Sequence, residues 1–279
     1  MNSFKRILPL HVDCPICGKP DWCLLAEDAS AAICARIESP KKMGSAGWLH
    51  KLNGQVAAPP TSRARPALAA PPPDWGDKFD GFQAAMSLER RAAIAQDLHV
   101  SEESLFALRT GWSIENDALA FPMRDEQRRI VGFRLRTMRG DKFAVTGSRN
   151  ALFIPCLEPL EDRVYICEGP TDCAALLTLG GGLFAVGRPS NTGAEEMIVR
   201  LFGRFERRRV REALILADRD ENGSMGERTT LRGARQLAQA LGRIGVRSTI
   251  LRPPAKDMRA WVADGLTLTE FCHAVAEAV

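Results

Sequence analysis

No run of eighteen apolar residues occurs in this 279-residue chain, so no membrane-spanning helix is expected. The opening stretch, MNSFKRILPLHVDCP, lacks the apolar core of a secretory signal. Together these absences lead us to expect a cytoplasmic protein. An excess of one charge is missing too: 38 Lys and Arg stand against 34 Asp and Glu. That balance is compatible with nucleic acid without demanding it. No segment repeats, and tyrosine occurs once, as Tyr165.

The charge that is present is clustered. Arg200, Arg204, Arg207, Arg208, Arg209 and Arg211 crowd one stretch. Arg124, Arg128, Arg129, Arg134, Arg136, Arg139 and Lys142 form another. Such clusters attract phosphates, although a solvated arginine-rich face has the same composition.

Four of eight cysteines fall at 14, 17, 23 and 34. In a reducing compartment such a group argues for metal before disulfides. Cys14-x-x-Cys17 followed by Gly18 is the tight turn that brings two thiolates to one tetrahedral zinc. CLLAEDASAAIC reads as a hairpin turning at Asp28-Ala29, which sets Cys23 opposite Cys34. His50 and His11 remain alternatives for one ligand. Four protein ligands would close the site and make it structural. Trp22 and Trp48 suit either base stacking or the small core around the metal, and the core is the reading favoured here. The remaining cysteines, 156, 167, 173 and 272, have apolar neighbours and read as small core residues.

Residues 1–55 therefore form a candidate zinc-binding β domain. Residues 56–75 are Pro/Ala-rich and read as an extended tether. From about residue 76 the pattern is globular. Two helices are expected in 84–109, the second capped by Ser101. Three strand-like stretches follow, ALAFPMRD, RIVGFRLRTM and DKFAVTG. Beyond residue 163 short apolar runs alternate with helical pieces near 171–180, 193–204 and 229–242. That alternation implies a parallel sheet covered on both faces. Gly187 would turn the chain after the second of these strands, with Asn191 or Thr192 capping the next helix. In the C-terminal stretch Trp261, Leu266 and Phe271 are spaced to face a core.

The run VYICEGPTD ends a strand in a bare glutamate, Glu168. LILADRDENG ends another in Asp218 and Asp220. Ligands of open parallel sheets bind outside these strand ends. Three gathered carboxylates require a cation, and an all-oxygen set suits Mg²⁺ or Mn²⁺. Asp172 and Asp257 are further candidates. A calcium loop is excluded, because its twelfth position would be Thr229 instead of Glu and a strand precedes it.

EGPTD followed by DRDENG in such an α/β segment resembles the Toprim domain. The preceding FPMRDEQRRIVGFRLRTMRGDKFAVTGSRNALF resembles the basic half of DnaG-type primases. A tethered N-terminal zinc domain completes that family's order. The resemblance implies 76–160 as a basic α+β subdomain and 161–279 as a Toprim catalytic domain. It also implies primer synthesis on single-stranded DNA from nucleoside triphosphates, with Glu168, Asp218 and Asp220 holding Mg²⁺. Arg134, Arg136, Lys142 and Arg149 would contact phosphates, and a replicative helicase could act in trans. The chain departs from the family in its single Cys23 and Cys34, in Asp-Arg-Asp for Asp-Gly-Asp, and in ending near Val279 without a helicase-binding domain. It most resembles compact primase-like proteins of phages and mobile elements.

Rival classes are a Toprim nuclease using the same acids, and a non-catalytic single-strand-binding accessory protein. A topoisomerase would need a tyrosine nucleophile, and Tyr165 lies inside a strand. No GxxxxGK[ST] loop occurs, so neither an ATP-driven nuclease nor a fused helicase fits.

Overall fold

The computed structural model describes residues 4–10, 12–52, 74–190, 193–205, 210–220 and 224–278. The chain divides into two compact units, Met1–Pro72 and Pro73–Val279. The expected tether lies outside the described residues up to 73, as do His11, Asn191, Thr192 and Arg207 to Arg209.

The first unit is a four-stranded sheet in chain order, with β1 (Phe4–Arg6), a short α1 (Ile7–Leu10), β2 (Leu24–Ala26), β3 (Ala31–Cys34) and β4 (Trp48–Lys51). Leu24 pairs with Ile33 and Leu25 with Ala32. The β2–β3 hairpin therefore turns where the sequence predicts. Gly47 is needed at the entry to β4: its φ is +119°, and a Cβ there would collide with the Cys34 carbonyl oxygen. Buried Cys14, Cys23 and Cys34 belong to the small core with Ile7, Leu25 and Ala32. Trp22, by contrast, is 68% exposed. It does not fill that core, because its positive φ of 63° turns it out of the loop before β2.

The second unit opens with α2 (Trp75–Ala84), α3 (Leu88–Leu98) and α4 (Glu102–Ala107). Asp74, Ser87 and Ser101 cap them through side-chain oxygens. The first of these helices was not legible in the sequence. It begins inside the expected tether, where Trp75 packs on Phe133 at 6.0 Å between ring centroids. An antiparallel sheet follows in the order β5 (Gly111–Ser113), β6 (Ala118–Arg124), β7 (Ile130–Thr137) and β8 (Lys142–Ala144).

The chain then enters β9 (Arg163–Glu168), α5 (Pro170–Thr178), β10 (Ala185–Arg188), α6 (Glu195–Arg204), β11 (Glu212–Leu216), α7 (Met225–Gly242), β12 (Arg247–Leu251), α8 (Met258–Ala263) and α9 (Leu268–Ala278). The four strands are parallel, in the order β10-β9-β11-β12. Alternate side chains serve two cores. Tyr165, Cys167, Ala185, Leu214 and Leu216 pack with Cys173, Phe271 and Val275. Val164, Ile166, Val186, Ala213 and Ile215 pack with Ile198, Leu201, Ala234, Leu237 and Leu241. Phe271, fully buried, lies 5.6 Å from the Tyr165 ring and 6.1 Å from that of Trp261. Burial of a side chain that large contributes about 1.5–3 kcal/mol. The C-terminal helices are thus part of the fold. Cys167 and Cys173 are core residues as expected, but Cys156 and Cys272 are exposed, since both lie outside the sheet's inner faces.

Candidate metal centres and cationic cleft

In the first unit the sulfurs of Cys14, Cys17, Cys23 and Cys34 all lie within 4.8 Å of one another. The knuckle is closed by Gly18 N–H donating to the Cys14 carbonyl at 2.8 Å and Cys14 N–H donating to the Lys19 carbonyl at 2.9 Å. The N–H groups of Ala35, Arg36 and Ile37 point at the sulfurs of Cys23 and Cys34 from 3.3 to 3.4 Å. Such donors stabilise thiolate. Burial pushes the Cys23 thiol up to about 12, and the Cys14 and Cys17 thiols add to it. Burial acts the same way on Cys17, but the Lys19 N–H and the neighbouring thiols outweigh it and bring that thiol to about 7. Four crowded sulfurs with N–H donors therefore fit a dication that removes their protons together. His50 stays out of the group. It pairs with Ala32, two residues short of Cys34, and its Nε2 lies 3.0 Å from the Ile37 carbonyl oxygen.

In the second unit the chain passes from β9 out to β10, then returns to β11 on the other side of β9. Strand order reverses between β9 and β11, and crevices form at the carboxyl ends of such a switch point. Glu168 is the last residue of β9, and Asp218 lies two residues past the end of β11. Gly169 then takes φ 87° and ψ 171°, a region open only to glycine, and Pro170 starts α5. This explains the sequence Glu-Gly-Pro. Gly187 lies within β10 and not after it. Its role is close approach, since a Cβ there would meet the Gly169 carbonyl oxygen at 2.6 Å.

Glu168 and Asp218 line one cavity of about 300 Å³ with Asp172, Asp257, Arg134, Arg136, Lys142, Lys256 and Arg259. Glu168 and Asp218 act on each other electrostatically across this cavity. Burial, with Asp172 and Glu168 nearby, pushes Asp218 up to about 9. Burial also raises Glu168, against the pull of Arg188. Burial beside Asp257 takes Asp172 to about 7. Asp172 accepts from the Arg259 N–H at 3.0 Å, and Asp257 caps α8 through the Ala260 N–H at 2.7 Å.

Asp220 lines a neighbouring cavity of about 780 Å³ with Arg219 and Lys256. The Thr230 hydroxyl donates to it at 3.4 Å. Its charge reaches Glu168, but among the described residues the three acids do not form a group as tight as the cysteines. Arg149 is exposed and does not line the cleft cavity. Its position is fixed by the loop after β8, where its N–H donates to the Val131 carbonyl at 3.0 Å.

Sequence reasoning missed Lys256, Arg259 and Arg188, which carry no motif. Both basic clusters are partly neutralised: Arg128 is paired with Glu158, Arg129 with Asp125, and Arg200 with Glu196.

No family model matches the chain. No curated protein matches it either. Solved structures do. A DnaG catalytic core matches with TM-score 0.55 at 14% identity, over 73% of this chain and 78% of that one. A DnaG primase catalytic domain bound to ssDNA matches with TM-score 0.54 at 16% identity, over 73% and 77%. The Aquifex aeolicus primase, comprising zinc-binding and RNA polymerase domains, matches with TM-score 0.53 at 16% identity, over 73% and 60%.

Proposed function

We propose that this chain, whose fold is that of a DnaG primase catalytic core, is a primase. On this reading it synthesises short primers on single-stranded DNA from nucleoside triphosphates. The observation that carries the reading is the meeting of Glu168 and Asp218 with Arg134, Arg136 and Lys142 in one cavity at the sheet's switch point. Two carboxyls lining one cavity, with burial pushing Asp218 up to about 9, fit a divalent cation that neutralises them together.

Glu168 and Asp218 would hold Mg²⁺ or Mn²⁺, with Asp172 in the same cavity and Asp220 in the neighbouring one as further acidic groups. When bound, that ion supplies charge neutralisation for phosphoryl transfer. Arg134, Arg136 and Lys142 bind phosphates of template or nucleotide across the cleft from the acids. Lys256 and Arg259 add positive charge from the β12–α8 side. The protein's share of the work is positioning and electrostatic stabilisation, since phosphoryl transfer needs little covalent assistance.

The four cysteines would hold one structural zinc. Residues 1–55 would act as a template-engaging module on the 56–75 tether, ahead of the 76–160 basic part and the 161–279 Toprim part.

The test is incubation with single-stranded DNA, nucleoside triphosphates and Mg²⁺ or Mn²⁺. New oligonucleotides that disappear in Asp218→Ala are the expected result. Shortened template without synthesis would instead make it a nuclease, and retardation on a gel with neither would make it an accessory binder.

A further inference from the structure

One charged side chain beside the cleft takes no part in the chemistry proposed so far. Arg188 is the last residue of β10 and the register partner of Glu168 on β9. The two strand ends are tied by the Gly169 N–H donating to the Arg188 carbonyl at 2.9 Å. Arg188 is only 1% exposed and is the largest fully buried side chain among the described residues. A guanidinium stays charged at every accessible pH. Burying one is costly unless opposite charge surrounds it. The surrounding charge is Glu168 from β9, Glu195 from α6 and Asp218 beyond β11. The following residues, Pro189 and Ser190, line the cleft cavity itself.

We propose that Arg188 is a built-in counter-cation of the acidic cleft, occupying at Glu168 the electrostatic place of a second free cation. It thereby limits the cleft to one weakly held divalent ion. This inference rests on the reading of Glu168 and Asp218 as the cation pair. Two-ion phosphoryl-transfer sites carry both positive charges as exchangeable metals. Here one of the two is tethered to β10. A fixed charge next to a carboxylate repels an incoming dication, so removing it strengthens metal binding.

The probe is Mn²⁺ binding to the full-length, zinc-loaded chain, followed by calorimetry and by the paramagnetic resonance of free Mn²⁺. Wild type should bind one Mn²⁺ that Asp218→Asn abolishes. Absence of that ion overturns both this inference and the reading beneath it. Arg188→Met should bind Mn²⁺ on the order of tenfold more tightly, and Arg188→Lys should return to the wild-type affinity. Tightening is the opposite of what mere damage to the site would do. With the wild-type ion present, unchanged or weaker binding by folded Arg188→Met overturns the counter-cation alone.

Glu195→Gln gives an independent arm, because Glu195 is partly exposed at the first turn of α6. Removing its charge leaves Arg188 acting more fully on Glu168. Mn²⁺ binding should then weaken by roughly two- to threefold. Unchanged or tighter binding would overturn the inference even if Arg188→Met does not fold.

Discussion

The sulfurs of Cys23 and Cys34 stand 4.0 Å apart across the β2–β3 hairpin, one step beyond the Leu24–Ile33 pair. Because this register is set by the turn at Asp28-Ala29, two ligands eleven residues apart arrive together. Purified protein should therefore contain about one zinc per chain, and Cys23→Ser should lose it. Raised thiols such as Cys23 and Cys14 must lose protons to bind. Zinc release, followed with a chromogenic chelator, should accordingly increase as pH falls.

The acidic cleft sets an opposite pH trend when no divalent ion is present. Asp218, raised to about 9, and Asp172, raised to about 7, keep their protons in the folded chain after the unfolded chain has lost them. The unfolded state then binds fewer protons, so stability declines as pH rises from about 4 towards those values. The limiting slope is about 1.4 kcal/mol per pH unit for each group. Melting curves across that range should show the decline, Asp218→Asn should flatten part of it, and Mn²⁺ should offset it most at high pH.

The cationic wall should be separable from its surroundings. Arg134→Ala, Arg136→Ala and Lys142→Ala should each weaken single-stranded DNA binding and reduce its salt slope by roughly one ion. Arg149→Ala, outside the cleft cavity, should leave the slope unchanged. Fluorescence anisotropy at several salt concentrations distinguishes the two outcomes.

Gly187→Ala tests the backbone crossing beneath the cleft. The added carbon would press on the Gly169 carbonyl oxygen at 2.6 Å. Backbone cannot yield as a side-chain tip can, so a loss of about 1–3 kcal/mol in urea unfolding is expected.

Trp22→Ala should behave in the opposite way. Its side chain is 68% exposed, so chemical denaturation should shift by less than about 0.5 kcal/mol. Loss of the zinc-loaded fold in this variant would contradict that exposure.

Where local chemistry dictates structure, the sequence is readable. The alternating apolar runs locate β9 to β12, and the Ser101 cap locates α4. The spacing of Cys14, Cys17, Cys23 and Cys34 locates the thiol cluster. The bare glutamate of EGPTD marks the cleft edge by its chemistry alone, since a charged group closing an apolar run has no packing reason to be there. The parts that escape a linear reading depend on tertiary proximity. Arg188 looks like an ordinary charged residue until β10 is laid beside β9. Lys256 and Arg259 reach the cleft only because α8 begins beside Asp172. Trp75 sits in a proline-rich stretch, and its packing partner Phe133 is far along the chain. Trp22 departs from expectation because a positive φ reverses the direction that its apolar character suggests.

β7 carries Arg134 and Arg136 towards the cleft, while Phe133 and Leu135 between and beside them are buried. Slipping that strand by a single residue would drown two large apolar groups and sequester two guanidinium ions. Oiliness on one side thus polices the placement of charge on the other. Any drift of the cationic wall is opposed by the hydrophobic interior without a dedicated restraint of its own.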